Sequence, residues 1–551
     1  MQAEHMTVEQ KVGQLLMIGY PTLDIPEEME AWIKQKQIGN VILFSRNIGT
    51  PEETYQRVQK LQSWAYESCH PYPLLIGTDQ ENGVVSRLQK GATRFPGAMA
   101  LGATGNLDQA KRIYQATGEE LRAAGISVNF APTVDVNNNA DNPVIGVRSF
   151  GEAPEQVARF GEAAIQGLLA SGVIPSIKHF PGHGDTSIDS HEAVPVLGHD
   201  RTRLDQVELV PFQRSIAAGV PMVMVGHISL PSMDESGSPA TYSKEIVTGI
   251  LRESLGFDGV AITDCMEMAA IAGTIGVPEA AVRCVQAGID LVLVSHTHEV
   301  QQKTYERLVA AIHSGELSDE RVNEAVNRVL QLKKRFLSWE HCLRAKGPSF
   351  DRIQHADMAR SALAQAITLV KNEHQLLPLQ RSTQPLGVIF PGISNLTLAE
   401  DGQAASGDLV APLRKYREVE YHMMSTLNPT EDEGEMVANL MSATEQIVVF
   451  TYNAHIFKGQ SLLLNRLIQQ GKRVVAVALR NPYDLLVMPE VDAYLAVYDH
   501  TYHAIELVAD ILFGERKAAG HLPVSLFPSE KKQHGVGEKE KMSVDGWEVT
   551  G

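Results

Sequence analysis

Three histidines, two aspartates and a lysine fall within the fourteen residues Lys178 to His191 (KHFPGHGDTSIDSH), directly after the apolar run VIPSI. Pro181, Gly182 and Gly184 exclude a regular helix there, so the segment reads as a loop whose glycines allow sharp turns and movement, a mobile lid over a site. Asp189 and His191 stand two apart with a small serine between them. In extended chain such positions project to the same side, so carboxylate and imidazole can meet. The carboxylate would fix the imidazole tautomer and raise its pKa from the ordinary value of about 6.5, which suits proton donation to a leaving group near neutral pH.

Asp264 closes the apolar run GVAITD and offers a single, partly desolvated carboxylate, which suits a nucleophile; a cap for a following helix is the structural alternative. Retaining glycosidases need a carboxylate that attacks a sugar carbon, and a second group that protonates the departing oxygen and then activates water. Asp264 and His191 can divide those roles. Other chemistries stay open. His179, His183, Asp185, Asp189 and His191 form a ligand-like set for a metal-dependent hydrolase, although the HxxxH spacing that suits a helix here spans Pro181 and Gly182. Lys178 at a strand end suits a Schiff-base lyase, and a protein that only binds sugar uses the same polar rim.

These groups need elements to aim them. Eight apolar runs, each followed by a helix-length amphipathic stretch, occupy the first part of the chain: VGQLLMIG, NVILFS, LLIGTD, ISVNFAP, VIPSIKHF, MVMVGH, GVAITD and LVLVSH. Continuous apolar strands alternating with helices predict an α/β fold, a parallel (β/α)8 barrel of the TIM type, with an open doubly wound sheet as the alternative. Asp79, His179, His227, Asp264 and His296 sit at the carboxyl ends of their runs, the rim that carries chemistry in such barrels.

A chain of 551 residues exceeds one hydrophobic core, and the pattern divides it into a barrel over 1–335, a linker over 336–358, a smaller α/β sandwich over 359–530 and a polar tail over 531–551. In the second part a helix is expected around Ala359–Val370, leading to LLPL, with apolar runs at GVIFPG, QIVVFTY, RVVAVALRNPYDL and AYLAVY. No fixed-period repeat is present, which argues against a solenoid.

The net charge of −18 without a long basic run argues against nucleic acid or an anionic membrane as partner. Cys69, Cys265, Cys284 and Cys342 form no CxxC pair, so neither a disulfide framework nor a thiolate zinc site is indicated. The first residues show no basic-apolar-small leader pattern, and a cytoplasmic monomer or homodimer is expected unless an export signal precedes this sequence.

Four segments in order, DQENGVVSRL, NPVIGVRSFG, KHFPGHGDTSIDSH and ITDCMEM, resemble glycoside hydrolase family 3, in particular its bacterial β-N-acetylglucosaminidases. The second part, from AITLVKNEHQLLPL through GHLPVSLFP, is similar to the α/β sandwich of two-domain members. The resemblance implies Asp264 as nucleophile and His191, supported by Asp189, as acid/base. It also implies a sugar-hydroxyl clamp of Asp79, Arg87, Arg148, Lys178 and His179, types that accept from and donate to hydroxyls in charge-assisted bonds. No metal or organic cofactor is implied, because side chains fill both roles. The implied substrate carries a terminal N-acetylglucosamine; its aglycone stays open among muropeptide, chitin oligosaccharide and other hexosaminides, and phosphate stays open as acceptor in place of water. Two departures, Asn82 and Cys265, are expected beside the sugar pocket.

Overall fold

The computed structural model describes residues 2–187, 193–393, 400 and 408–526. Its first sheet contains strands β1 (Leu16–Ile18), β2 (Asn40–Ile42) and β3 (Leu75–Thr78), then, past a separate hairpin of β4 (Gln80–Asn82) and β5 (Val85–Ser86), β6 (Val128–Asn129), β7 (Ile174–Phe180), β8 (Met222–Val225), β9 (Val260–Thr263) and β10 (Val292–Val294). Every neighbouring pair in this eight-stranded sheet is parallel, and β1 pairs with β10. A parallel bridge from Ile262 to Leu291 joins β9 to β10 and closes the ring. The eight apolar runs are therefore the eight strands of a barrel, and the open-sheet alternative fails on that closure.

Strand side chains alternate between the barrel axis and the surrounding helices, as the two-residue period requires. Met17, Leu75, Ile174, Met222, Met224, Val260 and Ile262 form an inner cluster. Leu16, Ile18, Ile76, Ile177, Val223, Val225 and Ala261 belong to the layer packed under the helices. This parity decides the site. The same parity puts Lys178, within β7, with Ile174 and, one residue past the strand ends, Asp79 with Leu75 and Asp264 with Val260 and Ile262, all on the axial side of the mouth. His227 has the opposite parity to Met222 and Met224 and is fully buried.

The helices carry the expected end signals. Thr50 and Glu53 form a capping box with Pro51 in the first turn of helix Pro51–Glu67. Helix Pro154–Ser171 stops at Gly172, whose φ of 81° belongs to the left-handed region.

The second sheet holds β11 (Thr368–Asn372), β12 (Leu386–Phe390), β13 (Val419–Met423), β14 (Gln446–Thr451), β15 (Arg473–Ala478) and β16 (Ala493–Ala496), in the order β11-β16-β15-β14-β12-β13. All pairs are parallel except β11 with β16. Val388, Phe390, Val448, Phe450, Val475 and Val477 pack on one face against helix Tyr502–Leu512. Ile389, Ile447, Val449, Val474 and Ala476 pack on the other in a cluster that also takes in Val84, Val85, Met99, Ala100, Ala103 and Val147 of the barrel part. The smaller α/β sandwich is present, with two differences in its elements. The helix expected around Ala359–Val370 spans Arg352–Ala366, and the β-branched stretch from Thr368 is drawn into the sheet by pairing with β16. Strand β13 (VEYHM) was invisible as an apolar run because it is a largely exposed edge.

No helix among the described residues is long and apolar enough to cross a membrane. Asp189, His191 and the tail expected over 531–551 lie outside the described residues.

Candidate active site

At the carboxyl ends of the barrel strands a cavity of about 880 Å³ is lined by Asp79, Arg87, Arg148, Lys178, His179 and Asp264. Three of these, Asp79, Lys178 and Asp264, arrive by the axial parity of their strands. Lys178 Nζ lies 2.6 Å from Asp79 Oδ1 and 2.7 Å from Glu81 Oε1. Burial works to lower the Lys178 pKa, but Asp79 and Glu81 outweigh it and the pKa is raised. Lys178 is thus a fixed ammonium donor, which argues against the Schiff-base reading.

Glu81 also receives both arms of Arg148, from Nε at 2.8 Å and from Nη2 at 2.8 Å. Burial alone would raise its carboxyl pKa, yet Arg148 and Lys178 hold it well below the usual carboxylate range. His179 contributes Nδ1 at 2.7 Å from Asp135 Oδ2, leaving Nε2 3.4 Å from Arg148 Nη2. Asp135, fully buried, also accepts the backbone N–H of His183 at 2.7 Å. Against the penalty of burial, His179 and His183 hold the Asp135 carboxyl below its ordinary pKa.

Asp264 accepts the N–H of Cys265 at 2.7 Å and donates its own N–H to Val225 at 2.9 Å, so the carboxylate stands on a fixed backbone. His227 braces the same turn, with Nε2 2.9 Å from the Cys265 carbonyl. The next loop is tied in through Glu267, which accepts from the N–H groups of His296 at 2.6 Å and Thr297 at 2.9 Å. Arg46, also on the cavity wall, reaches His296 Nδ1 at 3.0 Å and lies over the Phe44 ring.

Of the five residues of the metal-site reading, the three described ones, His179, His183 and Asp185, each hold a different partner. His179 binds Asp135, His183 Nδ1 lies 2.7 Å from the Thr186 hydroxyl, and Asp185 Oδ2 is 2.7 Å from His199 Nε2. Burial, followed by the neighbouring His179, pushes His183 down to about 4. Among the described residues the metal-compatible group is Asp185, His199 and Glu208, and Arg203 already meets it, 3.6 Å from Asp185 and 3.1 Å from Glu208.

Of the two departures from the family pattern, one falls where expected and the other does not. Cys265 lines the cavity. Asn82 does not: its side chain turns away to Thr117 Oγ1 at 3.1 Å, and its φ of 74° is one that asparagine tolerates in place of glycine. Several polar wall or support residues escaped the sequence reading, Arg46 and Glu267 among them. Glu81 sat inside the DQE motif, where it had a signal. Asp135 followed the fourth apolar run without distinction. Glu400 reaches the cavity from the second sheet's part of the chain, paired with the buried Arg480, and nothing local marks it.

Residues 7–332 match the model of the glycosyl hydrolase family 3 N-terminal domain, and residues 367–545 that of its C-terminal domain. The chain belongs to glycoside hydrolase family 3. Relatives include beta-hexosaminidase A of Pseudoalteromonas piscicida, 32% identical over 588 residues, covering 95% of this chain and 97% of that protein. The beta-N-acetylglucosaminidase/beta-glucosidase of Cellulomonas fimi is 30% identical over 556 residues, covering 96% and 95%. Among solved structures, a family 3 beta-N-acetylglucosaminidase from Paenibacillus sp. str. FPU-7 superposes with a TM-score of 0.89 at 38% identity, covering 95% of this chain and 99% of that one.

Proposed function

We propose that this family 3 glycoside hydrolase is a retaining exo-β-N-acetylglucosaminidase. The observation that carries the reading is the shared cavity: Asp264 opens into the same space as Asp79, Arg87, Arg148, Lys178 and His179. In this reading the ammonium and guanidinium donors and the Asp79 carboxylate grip the hydroxyls of one terminal sugar, which fixes its anomeric carbon before Asp264.

The Asp264 carboxylate attacks that carbon as the glycosidic bond breaks, and the His191 imidazolium, held by Asp189, gives its proton to the departing oxygen. A glycosyl ester on Asp264 results. Water then attacks the same carbon, His191 takes the water's proton, and the ester bond breaks to restore the carboxylate with net retention. Neither step needs a metal or an organic cofactor. A reducing, cytoplasmic setting suits the free thiols of Cys69, Cys265, Cys284 and Cys342.

Turnover of an aryl N-acetylglucosaminide against the matching glucoside, each with and without phosphate, tests the reading. The expected result is release of free N-acetylglucosamine, with the glucoside slower and phosphate without effect. N-acetylglucosamine 1-phosphate as main product would replace hydrolysis by phosphorolysis, and preference for the glucoside would overturn the sugar assignment.

A further inference from the structure

Arg148 comes from no strand. It ends the short turn Gly146–Arg148, in a loop that leaves the barrel after β6, and its guanidinium is useful only if that turn stays in place. Asn142 of the barrel part holds the loop just before the turn, and further supports come from the second sheet's part of the chain. Val147 donates its N–H to Asn481 Oδ1 at 2.9 Å. Gly146, with φ of 44°, lies so near that a Cβ built on it would stand 2.4 Å from the same oxygen. A second chain of bonds reaches the turn from Tyr483, whose hydroxyl accepts from Asn137 Nδ2 at 2.8 Å, while Asn137 Oδ1 accepts the Gly146 N–H at 3.1 Å. A third support meets the loop at Ala140, whose carbonyl lies 3.2 Å from His455 Nε2; His455 is itself held by Asp484 at 2.8 Å. Asn481 and Asp484 are fully buried and Tyr483 nearly so, so water does not compete for these bonds.

We propose that Asn481 and Tyr483, at the carboxyl end of β15, are positioning residues for Arg148: the second sheet sets the sugar clamp of a site built on the barrel. The proposal rests on the reading of Arg148 as a sugar ligand. A displacement of about 1 Å in a binding group is enough to cost catalysis. Since Arg148 would touch the sugar before and during reaction, its displacement appears chiefly as a raised KM.

The test uses the full chain and an aryl N-acetylglucosaminide, well below the unfolding temperature. Tyr483→Phe, which deletes one oxygen and keeps the ring, is expected to lower kcat/KM by about three- to tenfold, and Asn481→Ala by about tenfold or more, both mainly through KM. In an Arg148→Ala background each change should cost less than about twofold, because the group they position is gone. Unaltered kcat/KM in both single variants, or equal losses with and without Arg148, would overturn the proposal. An Arg148→Ala variant with parental kcat/KM would instead remove the clamp reading beneath it. Should Asn481→Ala fail to fold, Tyr483→Phe alone decides.

Discussion

Lys178 Nζ stands 2.6 Å from Asp79 Oδ1 across 99 residues of chain. Asp79 directly follows β3 and Lys178 lies in β7, strands that are not neighbours in the sheet, and they meet because both side chains keep the axial parity of those strands. A buried cation thereby sits between two carboxylates, the partly exposed Asp79 and the buried Glu81.

Removing that cation should therefore be costly. Lys178→Met is expected to destabilise the fold by about 1–3 kcal/mol, because Asp79 loses its cation while Arg148 still holds Glu81. Urea unfolding of variant and parent measures it. A loss near zero would mean that the carboxylates take up protons or water without penalty.

Asp264→Ala should abolish turnover while leaving the fold intact, because Asp264 is only partly buried and lines the cavity, and its own N–H bond to Val225 survives the change. Added azide should restore turnover as a glycosyl azide of inverted configuration, since a small anion can occupy the emptied face. Azide product with the retained configuration would assign the nucleophile elsewhere.

For His191→Ala the leaving group decides the outcome. Substrates with poor leaving groups should slow by about 10²–10⁴, and activated aryl substrates far less, as removal of a proton donor requires. Equal losses across a leaving-group series would take the acid role from His191.

Stability should fall with acid between pH 6.5 and 4. Burial pushes His70 down to about 4 from its ordinary 6.5, with its Nε2 held near the Ile33 carbonyl. The unfolded chain takes the proton first, so stability is full above pH 6.5 and is lost as pH drops towards 4, by on the order of 3 kcal/mol for this one group. His70→Gln should flatten that limb in unfolding measurements at pH 7.5 and pH 4. An unchanged limb would place the titration on another histidine.

The barrel was legible because its strands are buried on both faces: eight apolar runs stand out, and their last polar residues mark the rim. Asp79, Arg87, Arg148, Lys178, His179 and Asp264 could be named because they lie within dense local motifs. Glu81 could be seen but not weighed, since its meaning depends on Arg148, 67 residues away. Asp135 acts through His179 and the His183 N–H, 44 and 48 residues on, and Glu400 lines the cavity from the second sheet's part of the chain. Strand β13 escaped because an exposed edge carries no hydrophobic pattern. What fails to show in sequence here is pairing at long range, not residue chemistry.

The greasy cluster that the second sheet shares with Val84, Val85, Met99, Ala100, Ala103 and Val147 has a consequence for anyone who cuts this enzyme down. A fragment stopped before β11 would present those six side chains to solvent, close to the loop that bears Arg148, and should stick to itself in solution. Trimming the enzyme to its barrel is thus a resurfacing problem: polar replacements at those six sites, and a new prop beneath Val147, would have to come with the shorter chain.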